Sequence, residues 1–455
     1  MRISLIGILV WVMGLLLPSC RPATPAQYQP GREQIIEVID QMNELMMHDV
    51  TNPPLASRFF AYAMLAGYET LSQSDSTLQP LAKVLTGYPV VRTPAITGYN
   101  PQLAALFAML ETAGRMQPSG KKLVDRQTDL LEHYRRQGMP DDTLTASQAY
   151  GHEIAKALVA YAKKDGYNRL SDYPRYTPTK GDGYWYPTPP SFLAAIEPHF
   201  NKIRPFILDS AAAFKPVVPA VYSRATNSNF YRQLTDVCRT GQSLTVEQKA
   251  IASFWDCNPF AVQDVGHLQI GLKKMSPGAH WMKIAGTVCR QRKISFAKTL
   301  QVHTLLAITL MDAFICCWDE KYRSNRIRPE TAIRRAIDPN WKPLLQTPPF
   351  PEYLSGHSVI SGASAEVLTY FFGDNLAYID STEIGFGLPP RRFTSFRQAA
   401  EEAGISRFYG GIHFMDSVQE GLKQGRKVGS YVVSEFSGPL RSQTSANTLT
   451  HTITL

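Results

Sequence analysis

Three separated segments in the C-terminal half carry residue types suited to chemistry on an anion. The first runs Trp318-Asp-Glu-Lys321-Tyr-Arg-Ser-Asn-Arg-Ile-Arg328-Pro329. Lys321 and Arg328 are seven positions apart, nearly two helical turns, so one helix would point both the same way. Pro329 makes such a helix hard to continue. Taken alone, this is also what the solvated basic end of a helix looks like. The second segment is Phe350-Pro-Glu-Tyr-Leu354-Ser355-Gly356-His357. Ser355 suits the N-cap of the apolar helix that follows, and a helix start gathers backbone N–H groups into an anion site. His357, in the first turn, can give or take a proton there. The third is Ser406-Arg407-Phe-Tyr-Gly410-Gly411-Ile-His413-Phe-Met-Asp416. Its glycines allow a sharp turn or a close approach, and Asp416 stands three residues after His413, where a carboxylate can orient an imidazole.

In chain order the segments read Lys-x6-Arg-Pro, Ser-Gly-His, Ser-Arg-x5-His. At roughly one in twenty per fixed position, about nine matches in order and spacing are hard to reach by accident. This pattern resembles the signature of the phosphatidic acid phosphatase type 2/haloperoxidase superfamily, over roughly residues 240–435. The helices at 34–72 also look like those of bacterial vanadium haloperoxidase-like proteins. The resemblance implies an all-α fold, a large helical bundle of the vanadium haloperoxidase/acid phosphatase type. It implies that Lys321, Arg328 and Arg407 surround a tetrahedral oxyanion. Ser355 and Gly356 would donate to that anion, Gly356 through its backbone. His413 would bond to vanadium, or attack phosphorus, and His357 would be the general acid/base. Asp416 is expected to orient His413. Trp318 and Phe350 match positions where chloroperoxidase-type members place aromatics beside the halide. Two positions depart from the family pattern: Leu354 stands where Pro is usual, and Ser417 where an Asp is usual, the acid being shifted to Asp416.

The same pocket admits two chemistries. As a haloperoxidase it would hold vanadate on His413 and oxidise halide with hydrogen peroxide. As an acid phosphatase it would need no cofactor and would pass through a phosphohistidine, with His357 protonating the leaving group. The chain is far longer than a minimal soluble acid phosphatase of this group and lacks the spanning helices of the lipid phosphatases, which favours the first. A third reading is a non-catalytic binding lipoprotein. The substrate in either enzymatic case is a small molecule.

The elements that must position these residues are helices. The chain has 455 residues, 44% of them hydrophobic and 19% charged, an ordinary globular balance. A net charge of +9 favours anionic ligands. Without zinc-finger spacing, an RNA-binding aromatic motif or a long basic run, nucleic acid is not expected as a partner. Helical periodicity covers Gln34 to about residue 51, Leu55–Leu71, Leu103–Met116, Leu144–Lys164, Val246–Trp255, Trp281–Arg290, Ser295–Arg323, Ser355–Phe372, Ser395–Ala403 and Val418–Phe436. No run of strands and no βαβ rhythm interrupts them. Residues 165–190 form a long aromatic loop of the kind that wraps a core or serves function. The apolar stretch Leu305–Cys317 contains Asp312 and reads as a buried core helix.

The N-terminus reads as a bacterial lipoprotein leader. Arg2 precedes an apolar run from Leu5 to Leu17, and Leu17-Pro18-Ser19-Cys20 resembles the processing site, with Cys20 lipidated. This divides the chain into a signal peptide (1–19), a tether (20–33), an N-terminal helical region packed on the catalytic bundle (34–235), the haloperoxidase/acid phosphatase-like domain (236–437) and a polar tail (438–455). The expected location is the periplasmic side of the cell envelope, with membrane contact through the lipid anchor only. Five further cysteines, Cys238, Cys257, Cys289, Cys316 and Cys317, are too odd in number and too scattered for a disulfide framework, though one or two bridges are open.

Overall fold

The structure is a computed structural model that describes residues 29–189, 192–265 and 268–437. The leader with Cys20 and the tail from 438 lie outside the described residues. The first five helices are α1 (Arg32–His48), α2 (Pro53–Ser72), α3 (Pro101–Met116), α4 (Lys121–Arg136) and α5 (Asp141–Ala162). After a long irregular stretch come α6 (Asn229–Gln242), α7 (Val246–Phe254), the hairpin β1 (Val262–Val265) and β2 (Leu268–Gly271), α8 (Pro277–Gln291), α9 (Phe296–Ser324) and α10 (Pro329–Ala336). The chain closes with α11 (Gly356–Phe372), β3 (Tyr378–Asp380), β4 (Arg391–Phe393), α12 (Phe396–Tyr409) and α13 (Met415–Ser437). The class is all-α.

The two antiparallel strand pairs, Val262 opposite Gly271 and Tyr378 opposite Phe393, are the departure from a strand-free expectation. Each strand has three or four residues, too few for an alternation to show. α4 and α6 fall where the periodicity suggested connections. α4 is strongly charged and buries only Leu123, Gln127 and Tyr134, so its apolar stripe is thin. α1 begins at Arg32, two residues inside the expected tether, because the Gln34 side chain accepts the Gly31 N–H at 2.8 Å and closes the first turn.

α9 is the axis of the molecule. It is long and apolar enough to cross a membrane, but its apolar window is wholly buried in protein. Asp312, in its middle, accepts the backbone N–H groups of Phe206, Ile207 and Leu208 at 2.7–3.1 Å. A buried carboxylate thus ties the irregular stretch to the core. One continuous apolar core runs from Ile35 to Phe436 and joins α1–α3 and α5 to α8, α9, α11, α12 and α13.

α11 and α13 pack backbone to backbone. A Cβ on Gly425 would lie 2.1 Å from the Val359 carbonyl oxygen, and one on Gly429 would lie 2.6 Å from that of Ala363. Hydrogen at these positions lets α13 press against α11, which fixes the start of α11 relative to the turn before α13.

Candidate active site

Lys321 and Arg328 do not share a helix. α9 stops at Ser324, and Asn325 takes a left-handed conformation at φ 48°. Arg328 is the N-cap residue of α10, with Pro329 in its first turn, where a missing N–H costs nothing. The aromatic loop holds this turn: Trp185 N–H donates to the Asn325 carbonyl at 2.8 Å, and Ile327 N–H to that of Gly183 at 3.0 Å. Seven-residue spacing therefore brings the two cations together through a turn and not through helical phase.

Ser355 caps α11: its Oγ accepts from Ser358 N–H at 3.3 Å and from Ser358 Oγ at 2.8 Å. Gly356 is the first residue of α11, so the positive helix end opens here. A Cβ at Gly356 would touch Trp318 at 3.7 Å and the Lys321 Cε at 4.0 Å, which places the Lys321 stem directly under the helix start. Lys321 Nζ donates to the carbonyls of Pro351, Glu352 and Leu354. Its three donors are thereby used on the loop that leads into Ser355. Burial pushes its ammonium down to about 7.

His413 sits in the turn between α12 and α13. Its Nε2 lies 3.1 Å from Arg328 Nη1. A guanidinium only donates, so Nε2 carries the lone pair and Nδ1 the proton. That proton points at Glu352 Oε1, 2.8 Å away, which also accepts the Phe414 N–H at 3.0 Å. Burial, with Arg328 and Lys321 nearby, pushes the His413 imidazolium well below its usual range, which keeps the ring neutral.

The carboxylate on His413 is therefore Glu352, not the expected Asp416. Asp416 points away and takes Arg326 Nη1 at 2.9 Å on both oxygens, together with Gln233 Nε2 at 3.0 Å. Arg326 Nε lies 3.4 Å from Glu352 Oε2. Asp416 thus reaches His413 only through Arg326 and Glu352. Ser417, at the position where the family has Asp, has its Oγ 3.2 Å from His413 Nδ1.

Arg407, near the end of α12, is 1% exposed. It donates through Nη1 to the Trp255 carbonyl and lies 3.4 Å from Asp256 Oδ1 through Nη2. Its Nη1 is also 3.5 Å from His357 Nε2, so that nitrogen faces a donor and keeps a lone pair. Burial and Arg407 push His357 well below its usual range.

Gly356, His357, Arg407 and His413 line one wall of a cavity. Phe260, Phe314, Trp318 and Phe350 line another. Trp318 and Phe350 pack at 5.1 Å between ring centroids, and Lys321 Nζ stands 4.9 Å from the Phe350 ring. Lys321, Arg328 and Ser355 do not line the cavity but touch residues that do. Arg328 Nη2 and Arg407 Nε are buried guanidinium nitrogens with no protein acceptor. Two orphaned cationic donors beside a helix N-terminus and a neutral imidazole lone pair fit a tetrahedral anion with several charged oxygens.

Sequence reasoning assigned no role to Glu352, Arg326 or Asp256. Glu352 lay inside the second motif, but its partner is 61 positions away. Asp256 follows α7, and its link to Arg407 spans 151 positions. Neither has a local signal. The five described cysteines are all free and buried, so no bridge forms among them.

Residues 301–441 match a family model described as the second helical-bundle domain of vanadium chloroperoxidase. None of the curated proteins matches. Among solved structures, that of the first bacterial vanadium-dependent iodoperoxidase is 44% identical, with a TM-score of 0.83, covering 89% of this chain and 96% of that one. A holo-type bacterial vanadium-dependent chloroperoxidase is 16% identical, with a TM-score of 0.65, covering 86% of this chain and 94% of that one, a likeness of fold alone. A buried cation cage around a neutral histidine and a 44% identical relative matched almost end to end lead to one conclusion: the chain belongs to the bacterial vanadium-dependent haloperoxidases, enzymes of the phosphatidic acid phosphatase type 2/haloperoxidase superfamily.

Proposed function

We propose that the protein holds vanadate on His413 and oxidises a halide with hydrogen peroxide, iodide being the first halide to test. The observation that carries this reading is the lone pair of His413 Nε2, kept neutral by burial and facing Arg328 inside the cation cage. Arg328 and Arg407 would hold the anion's oxygens, with the α11 N-terminus and Gly356 N–H supplying further donors. When bound, vanadate supplies Lewis acidity that activates peroxide without a change of its own oxidation state.

Every other part belongs to the chain. Glu352 accepts a hydrogen bond from His413 Nδ1–H and so fixes the ring's tautomer and aim. Lys321 places positive charge under Gly356. His357, neutral and with its Nε2 turned to the cavity side of Arg407, takes a proton from an incoming hydroxyl or peroxide. The Trp318 and Phe350 rings exclude water from the cavity and favour a large, weakly hydrated halide. Iodide is the most readily oxidised of the common halides, and the 44% identical relative is described as an iodoperoxidase. The leader ending in Cys20 supports a lipid-anchored enzyme on the periplasmic side.

The test uses tag-free protein with and without orthovanadate. Iodide oxidation by peroxide should require vanadate and disappear in His413→Ala. Hydrolysis of a generic phosphomonoester, inhibited by vanadate and without iodide oxidation, would replace this reading with the phosphatase.

A further inference from the structure

Cys257, His280 and Glu383 come from three distant segments: the loop after α7, the first turns of α8 and the loop after β3. Their ligand atoms, Sγ, Nδ1 and Oε1, all lie within 4.8 Å of one another, and all three residues are buried. His280 Nδ1 is 3.2 Å from Cys257 Sγ and 3.4 Å from Glu383 Oε1. With bonds of about 2.0–2.3 Å, the edges of a tetrahedral zinc site measure about 3.3–3.8 Å, so the second separation falls in that range and the first lies just below it. The other ring nitrogen, Nε2, faces Asp380 Oδ2 at 2.7 Å, and Thr382 Oγ1 lies 2.7 Å from the same nitrogen. A carboxylate on the far nitrogen is the arrangement that fixes a metal-binding imidazole.

Hydrogen bonding leaves this cluster incomplete. Nδ1 has one site, a proton or a lone pair, and Cys257 Sγ already takes it. Glu383 Oε1 has no hydrogen-bond partner, although Glu383 is only 6% exposed. A buried carboxylate oxygen aimed at an imidazole nitrogen and a thiol is costly unless something satisfies all three at once. A divalent cation does so.

We propose that Cys257, His280 and Glu383 bind a divalent transition metal of the zinc class, with Asp380 holding His280 in place and water completing the tetrahedron. Mixed S, N and O donors suit zinc better than calcium or magnesium, which take oxygen. The metal is separate from the oxyanion pocket but adjoins it: Cys257 also lines the cavity, and its neighbours Trp255 and Asp256 hold Arg407. Bound metal would pin this segment to α8 and to the loop after β3, and so fix where Arg407 points.

The experiment treats tag-free full-length protein with chelator, reloads it with zinc or cobalt(II), and measures metal content and absorption. One zinc per chain is expected. Cobalt should give a thiolate charge-transfer band and the strong visible absorption of a tetrahedral site. The band should vanish in Cys257→Ser but persist in Cys289→Ser. Asp380→Asn should weaken zinc binding by about 10- to 100-fold. Zinc should also raise the melting temperature of wild type and not of Glu383→Gln. Substoichiometric zinc in wild type, with neither a cobalt band nor a melting shift, overturns the proposal and leaves a hydrogen-bonded His280–Asp380 pair. Because wild type carries the spectroscopic readout, a variant that fails to fold does not decide the matter. None of these readouts depends on vanadate.

Discussion

His413 keeps its Nε2 lone pair because its other nitrogen is committed to Glu352. Glu352→Gln should therefore lower vanadate affinity by about 10- to 100-fold, the usual effect of losing an orienting carboxylate. Asp416→Asn, one step further out behind Arg326, should cost less. Titrations of both variants check the order, and a larger loss at Asp416 would restore the expectation drawn from spacing. Lys321 sets the pH dependence. Its buried ammonium falls to about 7 in the folded protein, from an ordinary value of 10.5. A depressed lysine makes the anion-free protein gain stability as pH rises from about 7 toward 10.5, because the unfolded chain holds the extra proton. A bound anion favours the charged form and so takes up a proton above pH 7. Vanadate affinity should therefore fall by up to about tenfold per pH unit above 7, and Lys321→Met should lose that part of the slope. The anion's own ionisation is common to both proteins, so the difference between their pH profiles reads Lys321. Each residue proposed to hold the oxyanion was nameable from the sequence, since each sits in a short motif. Glu352 was not, because its role exists only once residue 413 is folded back against it.

At the scale of elements, the site depends on two backbones in contact. The α11 start and the turn bearing His413 are held in register by Gly421, Gly425 and Gly429 on α13, whose absent side chains admit α11. Gly425→Ala would force a methyl against the Val359 carbonyl. It should cost about 1–3 kcal/mol or more by urea unfolding and weaken vanadate binding, because α11 must shift. An alanine variant of unchanged stability would show that the helices can part without cost. Helix phase was readable for α9, α11 and α13, whose apolar stripes are broad. It misled at residues 321–328, where a left-handed Asn325 ends one helix and Pro329 opens the next. Nothing local marks that break before Pro329, because the loop that stabilises it, at Gly183 and Trp185, lies about 140 positions earlier. The thin stripe of α4 and the three-residue strands were hidden for the opposite reason: too few buried positions to make a period.

Across the described residues, the N-terminal helices and the motif-bearing bundle share one core, with α2 packed against both α3 and α9. The division at residue 235 therefore marks a change of role along the chain and not a gap in packing. The proposed leader would add a second level of organisation. If Cys20 is the lipid-bearing residue, the protein should partition with membranes, and Cys20→Ala should release it to the aqueous fraction with vanadate binding intact. Retention on membranes in that variant would remove the anchor from the account. All-α class and motif order were legible from sequence because helix periodicity and short motifs are local. The Cys257–His280–Glu383 cluster was not, since its members are 23 and more than 100 positions apart.

The proposed function requires Arg328, Arg407, the α11 N-terminus and His413 to converge on one tetrahedral oxyanion. A crystal structure of protein soaked in orthovanadate tests it most directly. A single vanadium is expected within bonding distance of His413 Nε2, with its oxygens on Arg328 and Arg407 and on the Gly356 N–H. Vanadium bound elsewhere, or a His413 ring still hydrogen-bonded to Arg328 at saturating vanadate, would contradict it.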